Sequence, residues 1–75
     1  MSDNFTHVLI FKTNIHTEED KSRIKEFLNA HSSVEEASVD IEDVDRVLRV
    51  VSYYLKPAEV ISLVKENGIN CEELE

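Results

Sequence analysis

The chain has 75 residues, 16 acidic and 8 basic side chains, and a formal net charge of −8. This length predicts one domain over residues 1–75, with an ordered core over about 7–74, and a hydrophobic content of 41% excludes a wholly disordered chain. No apolar run approaches the roughly 20 residues that cross a bilayer, and the scattered basic residues argue against nucleic acid or an anionic membrane as a partner.

The first half of the sequence predicts two strands and a helix. Residues 7–12 are apolar and rich in β-branched and aromatic side chains, which favours a strand. Thr17 is a good N-cap followed by three acids, so a helix is predicted over residues 18–30. Its apolar stripe comprises Ile24, Phe27, Leu28 and His31. An alternating pattern predicts a second strand that includes Val34, Ala37, Val39 and Ile41, with Glu36, Ser38 and Asp40 pointing the other way.

The second half repeats this order. Residues 46–55 form a run that is apolar on both faces and predict a third strand. Pro57 suits the first position of a second helix, and Gly68 suits the left-handed position after its end. Residues 69–73 predict a last short strand. The order βαββαβ favours an α+β ferredoxin-like sandwich, a four-stranded antiparallel sheet with two helices on one face and the first and third strands central.

One set of positions has the same spacing as a motif of a known protein family. These positions are Ile15, Thr17, Asp20, Ile24, Leu28, the segment Ala37-Ser38-Val39-Asp40-Ile41, and Gly68. With this spacing, from about residue 7 to residue 74, the chain resembles the heavy-metal-associated (HMA) domain of copper chaperones and copper-transporting ATPases. The resemblance implies the ferredoxin-like fold. It also implies a first loop in which relatives carry Met-x-Cys-x-x-Cys, whose thiolates hold a soft metal such as Cu(I).

The chain departs from that motif at its ligands. The resemblance places Ile15 at the methionine, Thr17 at the first cysteine and Asp20 at the second. Cu(I) selects thiolate and thioether ligands, so a hydroxyl and a carboxylate do not replace the pair. Thr17 and Asp20 instead resemble a capping box at a helix start. We therefore interpret the chain as a degenerate member without copper chaperone activity and expect no cofactor.

Two polar clusters are weak candidates for a metal. Asn14, His16 and Asp20 surround the first loop, and a harder ion such as Zn(II) accepts imidazole and carboxylate, but structural zinc normally takes four protein ligands. Residues 35–45 contain six acids and no base. They indicate either a solvated turn or a weak divalent-cation site, and they lack the glycine that a calcium loop needs. No metal site is expected from either cluster.

Cys71 is the one cysteine, so an internal disulfide and a multi-cysteine zinc site are excluded. We expect it in the core, because free cysteine is usually buried; a reactive thiol is the alternative and would need a lowered pKa. The N-terminus carries Asp3 where a signal peptide has basic residues, which favours the cytoplasm. Nucleophile elbows, glycine-rich phosphate loops and histidine–carboxylate pairs are missing from the sequence, so no enzyme activity is expected.

The most informative pattern is an excess of apolar residues on the sheet. Arg49 should face away from the helices, which places on the same open face the side chains of Val8, Ile10, Val47, Val51 and Tyr53. They could form a patch of several hundred Å², the scale of an interaction site, although scattered surface valines are also common. We expect a non-catalytic domain that binds a protein partner, most simply a second copy. A metal-handling protein with a non-cysteine site at His16 and Asp20 is the alternative.

Overall fold

The chain forms six elements. Strands form where apolar residues recur with a period of two, and helices form where they recur with a period of 3.6. The computed structural model describes residues 8–74. Its elements are β1 (Val8–Thr13), α1 (Glu18–Asn29), β2 (Glu36–Asp40), β3 (Val47–Val51), α2 (Pro57–Lys65) and β4 (Cys71–Glu73). The strands form one antiparallel sheet in the order β2-β3-β1-β4. The predicted βαββαβ ferredoxin-like fold with β1 and β3 at its centre is confirmed.

The core lies between the sheet and the two helices. Phe11, Leu48 and Val50 of the central strands are fully buried. They share one hydrophobic cluster with the buried residues of α1 (Ile24, Leu28) and α2 (Val60, Val64). Both helices therefore cover the same face of the sheet and leave the other face open. None of the helices within residues 8–74 has the length and apolar character to cross a membrane.

The helix ends use the capping residues that the sequence indicated. The Thr17 hydroxyl accepts a hydrogen bond from the Asp20 backbone N–H at 3.0 Å, which is half of a capping box. Pro57 occupies the first turn of α2, and the Glu59 carboxylate accepts the Lys56 backbone N–H at 2.8 Å. Gly68 has φ +80°, the left-handed conformation expected after a helix.

Several sequence-based predictions differ from the structure. The third strand ends at Val51 instead of residue 55, because the buried Ser52 hydroxyl accepts the backbone N–H groups of Tyr54 and Leu55 and turns the chain. Phe27 is 36% exposed and His31 is partly exposed, since the buried stripe of α1 is limited to Ile24 and Leu28.

The remaining differences are at strand ends. β4 begins at Cys71, and Ile69 is buried in the connection that precedes it. β2 is limited to Glu36–Asp40, so Val34 and Ile41 lie just outside it. The first strand continues to Thr13, one residue past the predicted end, and its predicted first residue, His7, lies outside the described residues.

The outer edge of β2 is covered by a side chain from α1. The Asn29 Oδ1 accepts the Ala37 backbone N–H at 3.1 Å, and the Asn29 Nδ2 donates to the Ala37 carbonyl at 3.4 Å. The amide thus makes both hydrogen bonds that a neighbouring strand would make to Ala37. An uncovered strand edge is a template for pairing with another chain, so this contact blocks strand addition at the middle of β2.

Candidate functional site

The loop between β1 and α1 is fixed to the connection between β2 and β3. The Thr13 backbone N–H donates to the Asp45 carbonyl at 3.1 Å. The buried Thr13 hydroxyl donates to the Arg46 carbonyl and accepts the Ile15 backbone N–H at 3.2 Å. Arg46 Nη1 donates to the Ile15 carbonyl at 3.4 Å, and the Ile15 side chain is fully buried. These bonds connect the start of the loop to the connection between β2 and β3.

The three candidate metal ligands of this loop are already engaged in hydrogen bonds. His16 Nδ1 donates to the Asn14 carbonyl at 2.9 Å, and Asn14 Oδ1 accepts the Asn70 backbone N–H at 3.0 Å. Asp20 Oδ1 pairs with the Arg23 guanidinium at 2.9 Å. Over residues 8–74 no three His, Cys, Asp or Glu side chains are grouped so that they could hold a metal ion. The geometry gives the three residues structural roles in the loop and the first turn of α1.

This donor set does not fit Cu(I). Thr17 uses its hydroxyl to cap α1, and Asp20 offers a hard carboxylate that is paired with a cation. Cu(I) prefers sulfur ligands, and the one sulfur on a cysteine, that of Cys71, is buried on β4. The side chains at these positions of the loop therefore do not provide the ligands that Cu(I) transfer needs.

The acidic connection after β2 uses its carboxylates to form turns. Asp40 Oδ1 accepts the Glu42 backbone N–H at 3.0 Å, and Asp43 Oδ1 accepts the Asp45 backbone N–H at 2.8 Å. The Arg46 backbone N–H donates to the Asp43 carbonyl at 3.0 Å, which closes a turn in which Arg46 has φ +49°. Asp is frequent in such turns for this reason. The acids therefore determine the shape of the connection.

Cys71 lies in the core, as expected, with 7% of its surface exposed. Burial raises the pKa of the Cys71 thiol from 9.0 to about 11; nearby Lys65 lowers it and Glu72 raises it. The thiolate is therefore disfavoured in the folded chain, which does not suit a nucleophile or a metal ligand.

The stability of the chain should fall at alkaline pH because of Cys71. Since the folded pKa lies above the unfolded value, the unfolded chain loses the thiol proton first, and stability decreases between pH 9.0 and about 11. We expect the decrease due to this thiol to be roughly 2 kcal/mol. Urea unfolding of wild type and Cys71→Ala across this range measures it as the difference between the two pH profiles. Parallel profiles would contradict the prediction.

One concavity lies on the helical side. It is a shallow groove of about 380 Å³ lined by His31, Leu55, Ala58, Glu59, Ser62 and Leu63. Two of its polar side chains have local partners: His31 Nδ1 accepts the Ser33 backbone N–H at 3.1 Å, and the Glu59 carboxylate accepts the Lys56 backbone N–H.

The open sheet face brings together four of the five predicted interface residues. Strand alternation places Val8 and Ile10 of β1 and Val47 and Val51 of β3 on this face, and Val8 lies directly opposite Val51. Val8 is 40% exposed and the other three are partly buried. Tyr53 is 51% exposed but lies beyond the end of β3, outside the regular sheet.

The sequence prediction missed one apolar member of this face. The Leu74 backbone N–H donates to the Ile10 carbonyl at 2.8 Å, and the β1–β4 register places Leu74 opposite Ile10. Directly opposed residues of antiparallel strands point to the same face, so Leu74 extends the apolar surface. Continuing the alternation of the last strand by one residue past Glu73 would have found it.

The open face is nearly neutral although the chain is strongly acidic. Among the strand residues that the structure describes, the charged side chains of this face are two bases on the central strands, Lys12 and Arg49, and three acids on the outer strands, Glu36, Asp40 and Glu72. Most of the net charge of −8 therefore lies elsewhere on the molecule. The open face therefore carries apolar residues together with charges of both signs.

Comparison with known proteins agrees with the fold. No protein-family model and no curated protein matches the sequence. The copper(I)-loaded first domain of the human copper chaperone for SOD1 is similar, with a TM-score of 0.81 and 18% identity over 93% of this chain and 94% of that chain. The yeast copper transporter domain CCC2A has a TM-score of 0.80 and 15% identity over 92% and 96%.

A third similar structure is described as an HMA domain. The apo HMA domain of a copper chaperone for superoxide dismutase has a TM-score of 0.82 and 19% identity over 100% of this chain and 78% of that chain. The chain thus has the HMA-like fold. At these identities the similarity shows the fold alone.

Proposed function

We propose that this chain is a non-catalytic interaction domain that self-associates through its open sheet face. The observation that carries the proposal is the cluster of Val8, Ile10, Val47 and Val51 on the side of the sheet that neither helix covers. Leu74 enlarges this cluster. Burying it against a second protein removes apolar surface from water, which is the main driving force of association.

A second copy suits this face for electrostatic reasons. Two chains of charge −8 repel each other, but the near balance of acids and bases on the open face allows two such faces to approach with little local repulsion. Charges farther apart than about 8 Å are largely screened at physiological salt. Self-association should therefore strengthen as salt screens the remaining acids.

The size of the face predicts weak binding. Four strands spaced about 4.8 Å apart and about five residues long present roughly 300 Å² per copy. A standard interface buries about 800 Å² per partner. We therefore expect a dimer with a Kd in the micromolar range or weaker, which forms when local concentration is high.

The covered edge of β2 favours association through the face. The Asn29 side chain makes both outward backbone hydrogen bonds of Ala37. A second chain therefore cannot pair with the middle of β2 unless the Asn29 side chain is displaced. The opposite edge, β4, is short, with three residues.

The proposed function does not include the copper binding of the similar domains. Thr17 and Asp20, at the positions where the HMA resemblance expects two cysteines, cap and pair within α1. We propose that the scaffold has retained the loop geometry and lost the sulfur ligands.

The proposal predicts that Val51→Glu weakens self-association at least tenfold, equivalent to about 1.4 kcal/mol, because it places an unpaired carboxylate in the apolar cluster. Sedimentation equilibrium over about 1 µM to 1 mM measures this shift. Val44→Glu is the matched control: it changes net charge equally, at a side chain that is 89% exposed in the connection after β2.

Two results would contradict the proposal. One is a wild-type chain that stays monomeric across the whole concentration series. The other is an equal weakening by Val51→Glu and Val44→Glu, which would show a general charge effect.

The alternative is a metal-handling protein with a site at His16 and Asp20. The feature that favours it is the His16 ring: because Nδ1 donates to the Asn14 carbonyl, Nε2 keeps its lone pair for a ligand. Titration with Cu(I), Zn(II) and Ni(II) separates the two functions. Binding at or below about 1 µM that is lost in His16→Ala would favour metal handling.

A further inference from the structure

Arg49 and Glu36 lie diagonally across the centre of the open face. The β2–β3 register pairs Arg49 with Ser38 and Glu36 with Val51. Glu36 is thus one strand across and two residues along from Arg49, a Cα separation of roughly 8 Å. Both side chains are exposed.

Within residues 8–74, neither of these two side chains has an ion-pair partner. The ion pair in this range joins Arg23 and Asp20. Asp40 is the other acid diagonal to the arginine, and its Oδ1 already accepts a backbone N–H in the turn after β2. Arg49, flanked along β3 by Val47 and Val51, and Glu36 are therefore presented side by side on a surface proposed to be an interface.

A two-fold axis can pair these groups between copies. Two sheet faces that pack against each other are related by an axis lying in the interface plane. If the axis bisects the line from Arg49 to Glu36, Arg49 of each copy faces Glu36 of the other. Arg49, Val51, Ser38 and Glu36 form a group of four neighbours on the face. Ser38 and Val51 then lie near the axis, and each faces the same residue of the other copy. The contact between the two Val51 side chains and the two ion pairs are therefore compatible in one arrangement.

We propose that reciprocal ion pairs between Arg49 of one copy and Glu36 of the other fix the register of the dimer formed through the open sheet face. This inference rests on the proposed self-association. Arginine suits the role because its planar guanidinium binds a carboxylate with two parallel hydrogen bonds. The apolar cluster supplies attraction without direction, and the two pairs select one orientation.

Charge reversal tests the pairing. Arg49→Glu places a carboxylate against Glu36 of the other copy at two symmetric positions, and Glu36→Arg places two cations together. Each single variant should weaken the dimer about tenfold or more, and the double variant Arg49→Glu/Glu36→Arg should return it to within about threefold of wild type. The double variant Arg49→Glu/Asp40→Arg is the matched control and should not recover.

Mixing the two single variants separates contacts between copies from contacts within one. In a mixed dimer, the carboxylate introduced by Arg49→Glu faces the guanidinium introduced by Glu36→Arg. The native Arg49 and Glu36 that remain, one in each variant, face each other at the symmetric position. The mixed dimer should therefore bind at least about tenfold more tightly than either variant alone.

A control mixture has the same net charges as the test mixture. It combines Lys25→Glu with Glu26→Lys, which change exposed residues of α1. Because these positions lie away from the open face, the control mixture should show no preference for the mixed dimer.

The outcomes distinguish this inference from the function on which it rests. If wild type dimerises and Val51→Glu weakens the dimer while Arg49→Glu and Glu36→Arg do not, the face associates in another register and the ion-pair inference is wrong. Equal heterodimer formation in test and control mixtures would also overturn it. A wild-type chain that remains monomeric overturns the proposed function itself.

Discussion

Phe11→Ala should remove a large part of the unfolding free energy of the chain at 25 °C. Phe11 is fully buried at the centre of the sheet, opposite Leu48 on β3 and beside β4. Removing a buried aromatic ring destabilises a protein by about 3–5 kcal/mol, because apolar burial is lost and a cavity remains. A chain of 75 residues is expected to have only about 4–11 kcal/mol of unfolding free energy.

Urea unfolding followed by circular dichroism measures this effect. With a slope near 1 kcal/mol per molar urea, the midpoint should fall by about 3–5 M. Phe27→Ala is the matched control, since it removes the same group from a site that is 36% exposed. Its loss should be less than half as large. Equal losses at both sites would show that Phe11 does not have the central packing role assigned to it.

Phe27 also shows the limit of periodicity as a guide to burial. The spacing of Ile24, Phe27 and Leu28 correctly predicts that α1 has one apolar face, and two of the three are fully buried. Periodicity gives the direction of a side chain around the helix but not the position of the sheet below it. Phe27 lies at the margin of the contact, and the sequence has no signal that distinguishes margin from centre.

The fold was predictable because local signals agreed with one another. Thr17, Pro57 and Gly68 mark helix ends for reasons of hydrogen bonding and backbone conformation that act within a few residues. The end of β3 was not predictable in this way. The apolar run continues through Tyr53 and Tyr54, and only the tertiary contact of Ser52 shows why pairing stops at Val51.

The candidate surface was predictable only in part. Alternation alone assigned Val8, Ile10, Val47 and Val51 to the open face. The cover that Asn29 provides for β2 could not be inferred, because it joins the end of α1 to a strand edge eight residues later through side-chain geometry. The diagonal placement of charges on the face likewise required the strand register, which depends on how the connections fold.

Ser52→Ala should destabilise the chain by about 2–3 kcal/mol, a large effect for the loss of one oxygen atom. The Ser52 side chain is 1% exposed. Its hydroxyl donates to the Ser33 carbonyl at 2.6 Å and accepts the backbone N–H groups of Tyr54 at 3.2 Å and Leu55 at 3.0 Å. Alanine fills nearly the same volume but leaves these three backbone groups without that partner, and unsatisfied polar groups are costly where water is excluded.

Urea unfolding gives the size of this loss, and hydrogen exchange gives its location. The amides of Tyr54 and Leu55 should exchange faster in Ser52→Ala relative to the amides of α2, because the turn that ends β3 loses its central acceptor. Ser22→Ala, at an exposed position of α1, is the control and should be neutral or slightly stabilising, since alanine has the higher helix propensity. If Ser52→Ala lowers the unfolding free energy no more than Ser22→Ala does, the Ser52 hydroxyl does not stabilise the turn, and β3 ends at Val51 for another reason.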